Sequence, residues 1–185
     1  MSSSSGSWAL KVNFVGMVAA ALALVSVLLP WWGITVDAFG TRNHQWGIWF
    51  PLTDTVPGVA TADLSNVLMT YSPIILLLSI AATALAMAGS FTSRYFPIVM
   101  SLVLALASVL GYAWVVSYAV SQNCQSSGCI TQPTGSYDIP FIGGSVTWGF
   151  QMGFYIFTAA TVILLIGLVV HRPLTHQRES ATKTT

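Results

Sequence analysis

The sequence predicts an all-α membrane protein, a bundle of four transmembrane helices that carries a small extracytoplasmic β-hairpin or sheet. Four long stretches contain no charged side chain: Val12–Val36, Leu64–Ser93, Tyr95–Asn123 and Ile139–Val170. About 20 helical residues reach roughly 30 Å, which is the thickness of the hydrocarbon core of a bilayer. Hydrophobic residues make up 55% of the 185 residues and charged residues only 6%, whereas soluble domains contain roughly 25% charged residues.

The distribution of basic residues predicts the topology of a single integral membrane domain over 1–185. The four spans are placed at about 12–33, 68–90, 95–120 and 147–170, with external loops at about 34–67 and 121–146 and a tail at 171–185. Five basic residues then lie on one side of the membrane: Lys11, Arg94, Arg172, Arg178 and Lys183. Arg42 alone lies on the other side. Because cytoplasmic segments carry the excess of Lys and Arg, both termini are expected in the cytoplasm of a multi-pass cell-membrane protein.

The predicted spans lack the residues that transport or redox chemistry needs at membrane depth. They contain no Asp, Glu, Lys, Arg or His, since His44, His171 and His176 all fall outside them. This argues against proton-coupled transport and against a haem held by axial ligands between the helices. Six basic residues also cannot cover a nucleic-acid phosphate track. We therefore expect no cofactor, no catalytic residue and no nucleic-acid partner.

Small residues at i, i+4 spacing predict close contacts between helices. Gly149 and Gly153 form a G-x-x-x-G pattern at the start of the fourth stretch, and Gly16–Ala20 and Ala107–Gly111 repeat the spacing. Such residues let helix backbones approach each other closely in lipid. We favour packing inside the bundle over a dimer interface, because four helices in one chain already need several such contacts.

The first external loop contains two β-prone segments separated by a turn. The segments are Ile34–Phe39 and Gln45–Phe50, with Gly40–His44 between them, and together they predict a hairpin. Trp46, Ile48 and Phe50 would share one face of the second strand. Since a lone hairpin is only marginally stable, it is expected to pack on a strand of loop two, on the bilayer surface or on a partner.

The second external loop contains the only two cysteines, Cys124 and Cys129. Their proximity in a loop expected outside the cell predicts a local disulfide. A redox-active pair is the alternative, although it usually has C-x-x-C spacing. A metal site at these cysteines is not expected, because no histidine or further cysteine lies nearby in the sequence. Nor is one expected at His44, Asp54 and Asp63, because nothing fixes their geometry. Downstream, the proline in Tyr137–Ile142 restricts that apolar segment to an edge strand or to irregular structure.

The topology and one short motif resemble the claudin and peripheral-myelin group of four-span membrane proteins. Trp46-Gly47-Ile48-Trp49 is similar to the W-G-L-W segment of that group, and Trp32 stands where a tryptophan follows its first helix. The resemblance implies that Trp32, Trp46, Gly47 and Trp49 are structural and seat an external sheet on the bundle, with Trp49 towards the bundle near Trp32. The cysteine pair that the family carries in its first loop is missing here.

These observations favour a non-enzymatic membrane protein whose external loops contact other membrane proteins or further copies of itself. Two alternatives stay open. The chain could be an accessory subunit of a larger membrane enzyme complex, which would explain why the spans have no ligands. It could also be a small thiol oxidoreductase that uses Cys124 and Cys129.

Overall fold

The computed structural model describes residues 13–38, 40–49, 51–53, 62–92, 94–122, 130, 132–139 and 143–182, with the backbone alone at 51–53, 62–63 and 170–182. The described part is a bundle of four helices with one five-stranded antiparallel sheet at one end, which we call the sheet end. The helix-bundle class with a small sheet is thereby confirmed. Cys124 and Cys129, with the disulfide predicted between them, lie outside the described residues.

Three of the four helices are long and apolar enough to cross a membrane. Helix α2 spans Ala62–Phe91, α3 spans Tyr95–Gln122 and α4 spans Met152–Thr182, of which Met152–Val169 is the apolar part. Helix α1, Phe14–Val27, is equally apolar but shorter. The second and third predicted spans coincide with α2 and α3, because a long apolar run satisfies all its backbone hydrogen bonds in lipid when it is helical.

The helices form two main pairs, α2 with α3 and α1 with α4. Only residues 92–94 separate α2 from α3, which pack as an antiparallel hairpin, and α1 packs chiefly on α4. Ser101 donates a hydrogen bond of 2.6 Å to the carbonyl oxygen of Ala82, which links α3 to α2. The other buried serine and threonine hydroxyls of the bundle, such as those of Ser79 and Thr83, donate to carbonyls one turn back in their own helix. These bonds satisfy polar groups in an interior that excludes water.

The sheet is joined directly to α1 and α4 along the chain. Its strands are β1 (Trp32–Asp37), β2 (Thr41–Trp46), β3 (Pro51–Thr53), β4 (Gly135–Ile139) and β5 (Gly144–Phe150), in the order β3-β2-β1-β5-β4. Strand β1 follows α1 after a short turn, and only Gln151 separates β5 from α4. The hairpin predicted in loop one is confirmed as β1–β2, and its expected partner from loop two is β5. The predicted edge strand is β4.

Three sequence predictions about boundaries are wrong. The first span was expected to reach residue 33, but α1 ends at Val27 and Trp32 belongs to β1. The fourth was expected to begin at residue 147, but Trp148 and Gly149 belong to β5. The second hairpin strand begins at Thr41 rather than Gln45, because the turn is confined to the residues around Gly40, whose φ is +121°. Large apolar residues suit a buried sheet as well as a lipid-embedded helix, so hydropathy does not separate the two.

The end of the bundle opposite the sheet is fastened by Asn13. Its backbone N–H donates to the carbonyl oxygen of Ser90. Its side-chain amide donates to the Gly167 carbonyl at 3.2 Å, and its side-chain oxygen accepts from the N–H of Gly16 at 3.1 Å. Asn13 is therefore the N-cap of α1 and also a bridge to α2 and α4.

We expect Asn13→Ala to lower the free energy of unfolding by about 1–2 kcal/mol, because the cap and the bridge are lost together. Asn13→Ser should lose less, since a serine oxygen can still cap the helix while it is too short to reach α4. Reversible unfolding in mixed detergent measures both, with Phe14→Ala, at a residue 73% exposed, as the control. Equal losses for the alanine and serine variants would contradict the capping role, and a serine variant as stable as the wild type would contradict the bridge to α4.

Candidate functional site

The junction between the bundle and the sheet is built from three fully buried tryptophans. Trp31, Trp32 and Trp46 are at most 1% exposed. The Trp31 ring lies 5.0 Å from Tyr112 of α3 and 5.2 Å from Phe157 of α4, measured between ring centroids. Its indole N–H donates to the carbonyl of Ser26 at 2.8 Å. Trp31 thus fills the space where α1, α3 and α4 meet and satisfies its polar atom there.

Trp32 and Trp46 attach the sheet itself. They are paired across β1 and β2, and their ring centroids lie 5.3 Å apart. The Trp46 indole donates to the Ser65 hydroxyl of α2 at 3.1 Å, and the Trp32 indole donates to the carbonyl of Pro133 at 2.7 Å. One tryptophan therefore fixes the sheet to the α2–α3 hairpin, and the other holds the segment that leads into β4.

Backbone bonds complete this junction. The backbone N–H of Trp31 donates to the carbonyl oxygen of Trp46 at 2.8 Å, and the backbone N–H of Gln151 donates to the carbonyl oxygen of Trp31 at 2.9 Å. The N–H of Gly153, in the first turn of α4, donates to the Pro30 carbonyl at 2.8 Å. Together with the buried tryptophans, these hydrogen bonds leave little freedom for the sheet to tilt on the bundle.

The predicted roles of Trp46 and Trp49 are reversed. Trp46 is buried with Trp32, whereas Trp49 is 49% exposed and lies after the end of β2. The reason is the earlier start of β2, since a change of register exchanges the faces of a strand. Gly47 and Ile48 are buried as well, and Phe50 lies outside the described residues.

The predicted G-x-x-x-G pair does not act as a helix-packing motif. Gly149 lies in β5, where an added Cβ would meet only Thr134, at 3.4 Å. Gly153 does lie in α4, and its close neighbours are the Trp31 ring and the carbonyls of Leu29 and Pro30. Because Gly153 has no side chain, the turn after α1 can pack directly against α4. The other predicted glycines pack within the bundle, Gly16 against Ser90 and Gly111 against Ile75.

His44 is buried on the inner side of the sheet. It pairs with Ile34, and its ring centroid lies 4.0 Å from that of Trp46. Among the described residues, no group of three His, Cys, Asp or Glu side chains could hold a metal ion. A void between the four helices has a volume of ≈10 Å³ and is lined mainly by alanines. That is room for about one water molecule, so this void does not hold a cofactor.

The two faces of the sheet differ in chemistry, as the pairing register defines them. Paired residues share a face, so the apolar face comprises Trp32, Ile34, Val36, Arg42, His44, Trp46, Gly135, Tyr137, Ile139, Gly144, Val146, Trp148 and Phe150. The polar face comprises Gly33, Thr35, Asp37, Thr41, Asn43, Gln45, Ser136, Asp138, Ser145, Thr147 and Gly149. The polar face has the composition of a solvated surface.

The apolar face of the sheet continues past the rows that pack on the helices. Its row nearest the helices contains the buried pair Trp32 and Trp46. Its far row, which runs Arg42–Val36–Val146–Tyr137 across four strands, is half-buried at the two valines and exposed at both ends. Tyr137 is 57% exposed. The arrangement is a rigid platform with an accessible far row, which suits binding better than catalysis.

Sequence reasoning did not identify Trp31 and Tyr112 as the core of this junction. Trp31 lies within the first charge-free stretch and Tyr112 within the third, so neither stands out from its apolar surroundings. The chain matches no known family model, and no characterised protein shows significant sequence similarity to it.

Proposed function

We propose that the chain is a four-span membrane protein, without catalytic activity of its own, whose sheet is an external module that binds other proteins. The observation that carries this proposal is the mounting of the sheet. Its near end is clamped by three buried tryptophans, while its far row leaves Tyr137 and Arg42 exposed. A surface held rigid before binding loses little entropy when a partner docks. Tyrosine and arginine are among the residue types enriched at protein–protein interfaces.

The proposed membrane placement rests on the surfaces of the helices. Exposed aromatic residues lie towards the sheet end, with Trp114 and Tyr118 stacked at a centroid distance of 5.5 Å on α3 and Tyr155 on α4. Phe91 and Phe96 are exposed near the opposite end. Phe96 and Trp114 are 18 residues apart, roughly 27 Å along α3, which approximates a hydrocarbon core. The sheet then lies outside the cell, and residues 92–94 and both termini lie inside.

The claudin-like assignment is part of the same proposal. Support comes from Trp32 and Trp46, which seat the sheet on the bundle as the resemblance implies. The first loop contributes three strands and the second loop two. The exposed Trp49 departs from the expected seating.

Cysteine labelling tests the topology. In a background with Cys124 and Cys129 replaced by serine, a cysteine at Thr41 should react with an impermeant thiol reagent on intact cells. A cysteine at Thr92 should react only after the membrane is made permeable. Both positions are exposed, so accessibility within the protein does not limit the reaction. Labelling of Thr92→Cys on intact cells would contradict the proposed orientation.

Photo-crosslinking from the sheet tests the binding role. A photoreactive amino acid at Tyr137 should give one discrete protein adduct in native membranes, and Arg42 should give the same adduct if the far row is the contact. The control position is Leu110, which is 68% exposed on α3. Adducts from Leu110 alone would instead indicate an accessory subunit that packs through its helices. Absence of any adduct from the two sheet positions would refute the external module.

A further inference from the structure

The two edges of the sheet are not equally protected against further strand pairing. Strand β3 forms one edge, has only three residues and begins at Pro51, which has no backbone N–H. Short edge strands and prolines are common devices that prevent a sheet from adding strands. Strand β4 forms the other edge, with five residues and neither proline nor lysine among them. One edge of this sheet is therefore blocked and the other is open.

The open edge is also accessible. Residues Gly135–Asp138 of β4 are all exposed, and in the described sheet β4 pairs only with β5. Every second residue of an edge strand directs its N–H and C=O outwards, so β4 presents donors and acceptors that no described strand pairs on its free side. Those groups match the backbone of another extended strand.

We propose that β4 pairs with β4 of a second copy of this chain, in antiparallel orientation and centred on Tyr137, so that two sheets become one. This inference rests on the proposed binding role of the sheet and names its partner.

The register follows from the five residues of β4. Centring on Tyr137 is the only antiparallel register that pairs all five residues of each strand. Tyr137 then lies opposite Tyr137 of the second copy, and aromatic cross-strand pairs are favourable. Ser136 lies opposite Asp138, where a hydroxyl can donate to a carboxylate. Gly135 lies opposite Ile139. Centring on Asp138 would instead bring two carboxylates together, which is unfavourable.

Substitutions of opposite charge at one position test this register. Ser136→Lys should strengthen the dimer, because two symmetry-related Lys–Asp138 pairs would form. Ser136→Asp should weaken it, because each new carboxylate would face Asp138 of the other copy. Cross-strand pairs of this kind correspond to about a two- to thirtyfold change in the dimer dissociation constant for the two pairs together. Energy transfer between C-terminally labelled copies, followed against the protein-to-detergent ratio, measures that constant.

The matched control is Thr147, an exposed residue of the same face that lies on β5 away from the edge. Thr147→Lys and Thr147→Asp should leave the dissociation constant unchanged. The double variant Ser136→Asp/Asp138→Lys should restore the dimer that Ser136→Asp loses, since each pair again carries opposite charges. Similar effects at Ser136 and Thr147 would show that net charge rather than β4 pairing governs association, and would overturn the proposal.

Crosslinking separates this inference from the proposed function. The adduct formed by a photoreactive residue at Tyr137 should be a homodimer. An adduct with a different protein would overturn the β4–β4 pairing and leave the external binding module standing. No adduct at all would refute both. Reconstitution of two differently tagged populations shows where the second copy lies: homodimers within one vesicle place it in the same membrane, and vesicle aggregation places it in a facing membrane.

Discussion

Replacing Trp46 with alanine is expected to detach the sheet from the α2–α3 hairpin. Trp46 is 1% exposed, contacts Trp32 and His44, and donates its indole N–H to Ser65. Truncation of a buried tryptophan to alanine costs about 3–5 kcal/mol. Loss of that contact should make the β2–β3 region sensitive to protease added from outside, at concentrations that leave the wild type intact. It should also lower the free energy of unfolding in mixed detergent.

The matched control is Trp49→Ala. Trp49 is the same residue type, three positions away, yet half of it is exposed. Its replacement should change proteolysis and unfolding by much less than that of Trp46. Trp46→Phe should recover part of the loss, since a phenyl ring still packs on Trp32 but cannot bond to Ser65. If the two alanine variants behaved alike, the seating of the sheet through Trp46 would be wrong.

The second large effect is expected at Gly153. A Cβ atom built there would lie 2.5 Å from the Trp31 ring, 2.7 Å from the Pro30 carbonyl oxygen and 2.9 Å from that of Leu29. Two of these neighbours are backbone atoms that cannot rotate away. Gly153→Ala should therefore cost at least the upper part of the about 1–3 kcal/mol typical of overpacking, because it forces α4 away from the turn after α1.

Gly149→Ala provides the control, at the other end of the same G-x-x-x-G pattern. An added Cβ at Gly149 would make only ordinary contact with Thr134, at 3.4 Å. Its free energy of unfolding should stay close to that of the wild type. The comparison is made in the same denaturant titration. A loss at Gly149 as large as that at Gly153 would contradict the tight packing of Gly153 against the turn after α1.

The sequence predicted the helices best where apolar runs end at charged or turn residues. Helix α3 begins directly after Arg94, and the short connection 92–94 leaves no choice but an antiparallel hairpin. The aromatic residues at the sheet end were less informative. Trp32 and Trp148 extend apolar runs that continue into helices, and both side chains belong to strands. Since lipid and a buried sheet face select the same side chains, composition alone could not find that boundary.

The polar strand β2 shows a different reason for error. Thr41–His44 was assigned to a turn because it is polar, yet it forms the first part of a strand. Thr41 and Asn43 belong to the polar face, whereas His44 lies on the apolar face beside Trp46, two residues along the same strand. Local propensity could not show that this face is buried, because the contact that fixes it, from Trp46 to Ser65, is made with another element. The predicted orientations of Trp46 and Trp49 are wrong for the same reason.

The pairing of β1 with β5 also governs the order of events during synthesis. Trp32 is paired with Phe150, so more than a hundred residues must be made after β1 before its second neighbour exists. At translation rates of about 5–20 residues per second, that interval is on the order of 10 s. Throughout it, one side of β1 stays without its strand partner while α2 and α3 enter the bilayer. The sheet therefore gains its last strand only after α2 and α3 have been made, and until then β1 of the nascent chain has a free edge that the finished protein conceals.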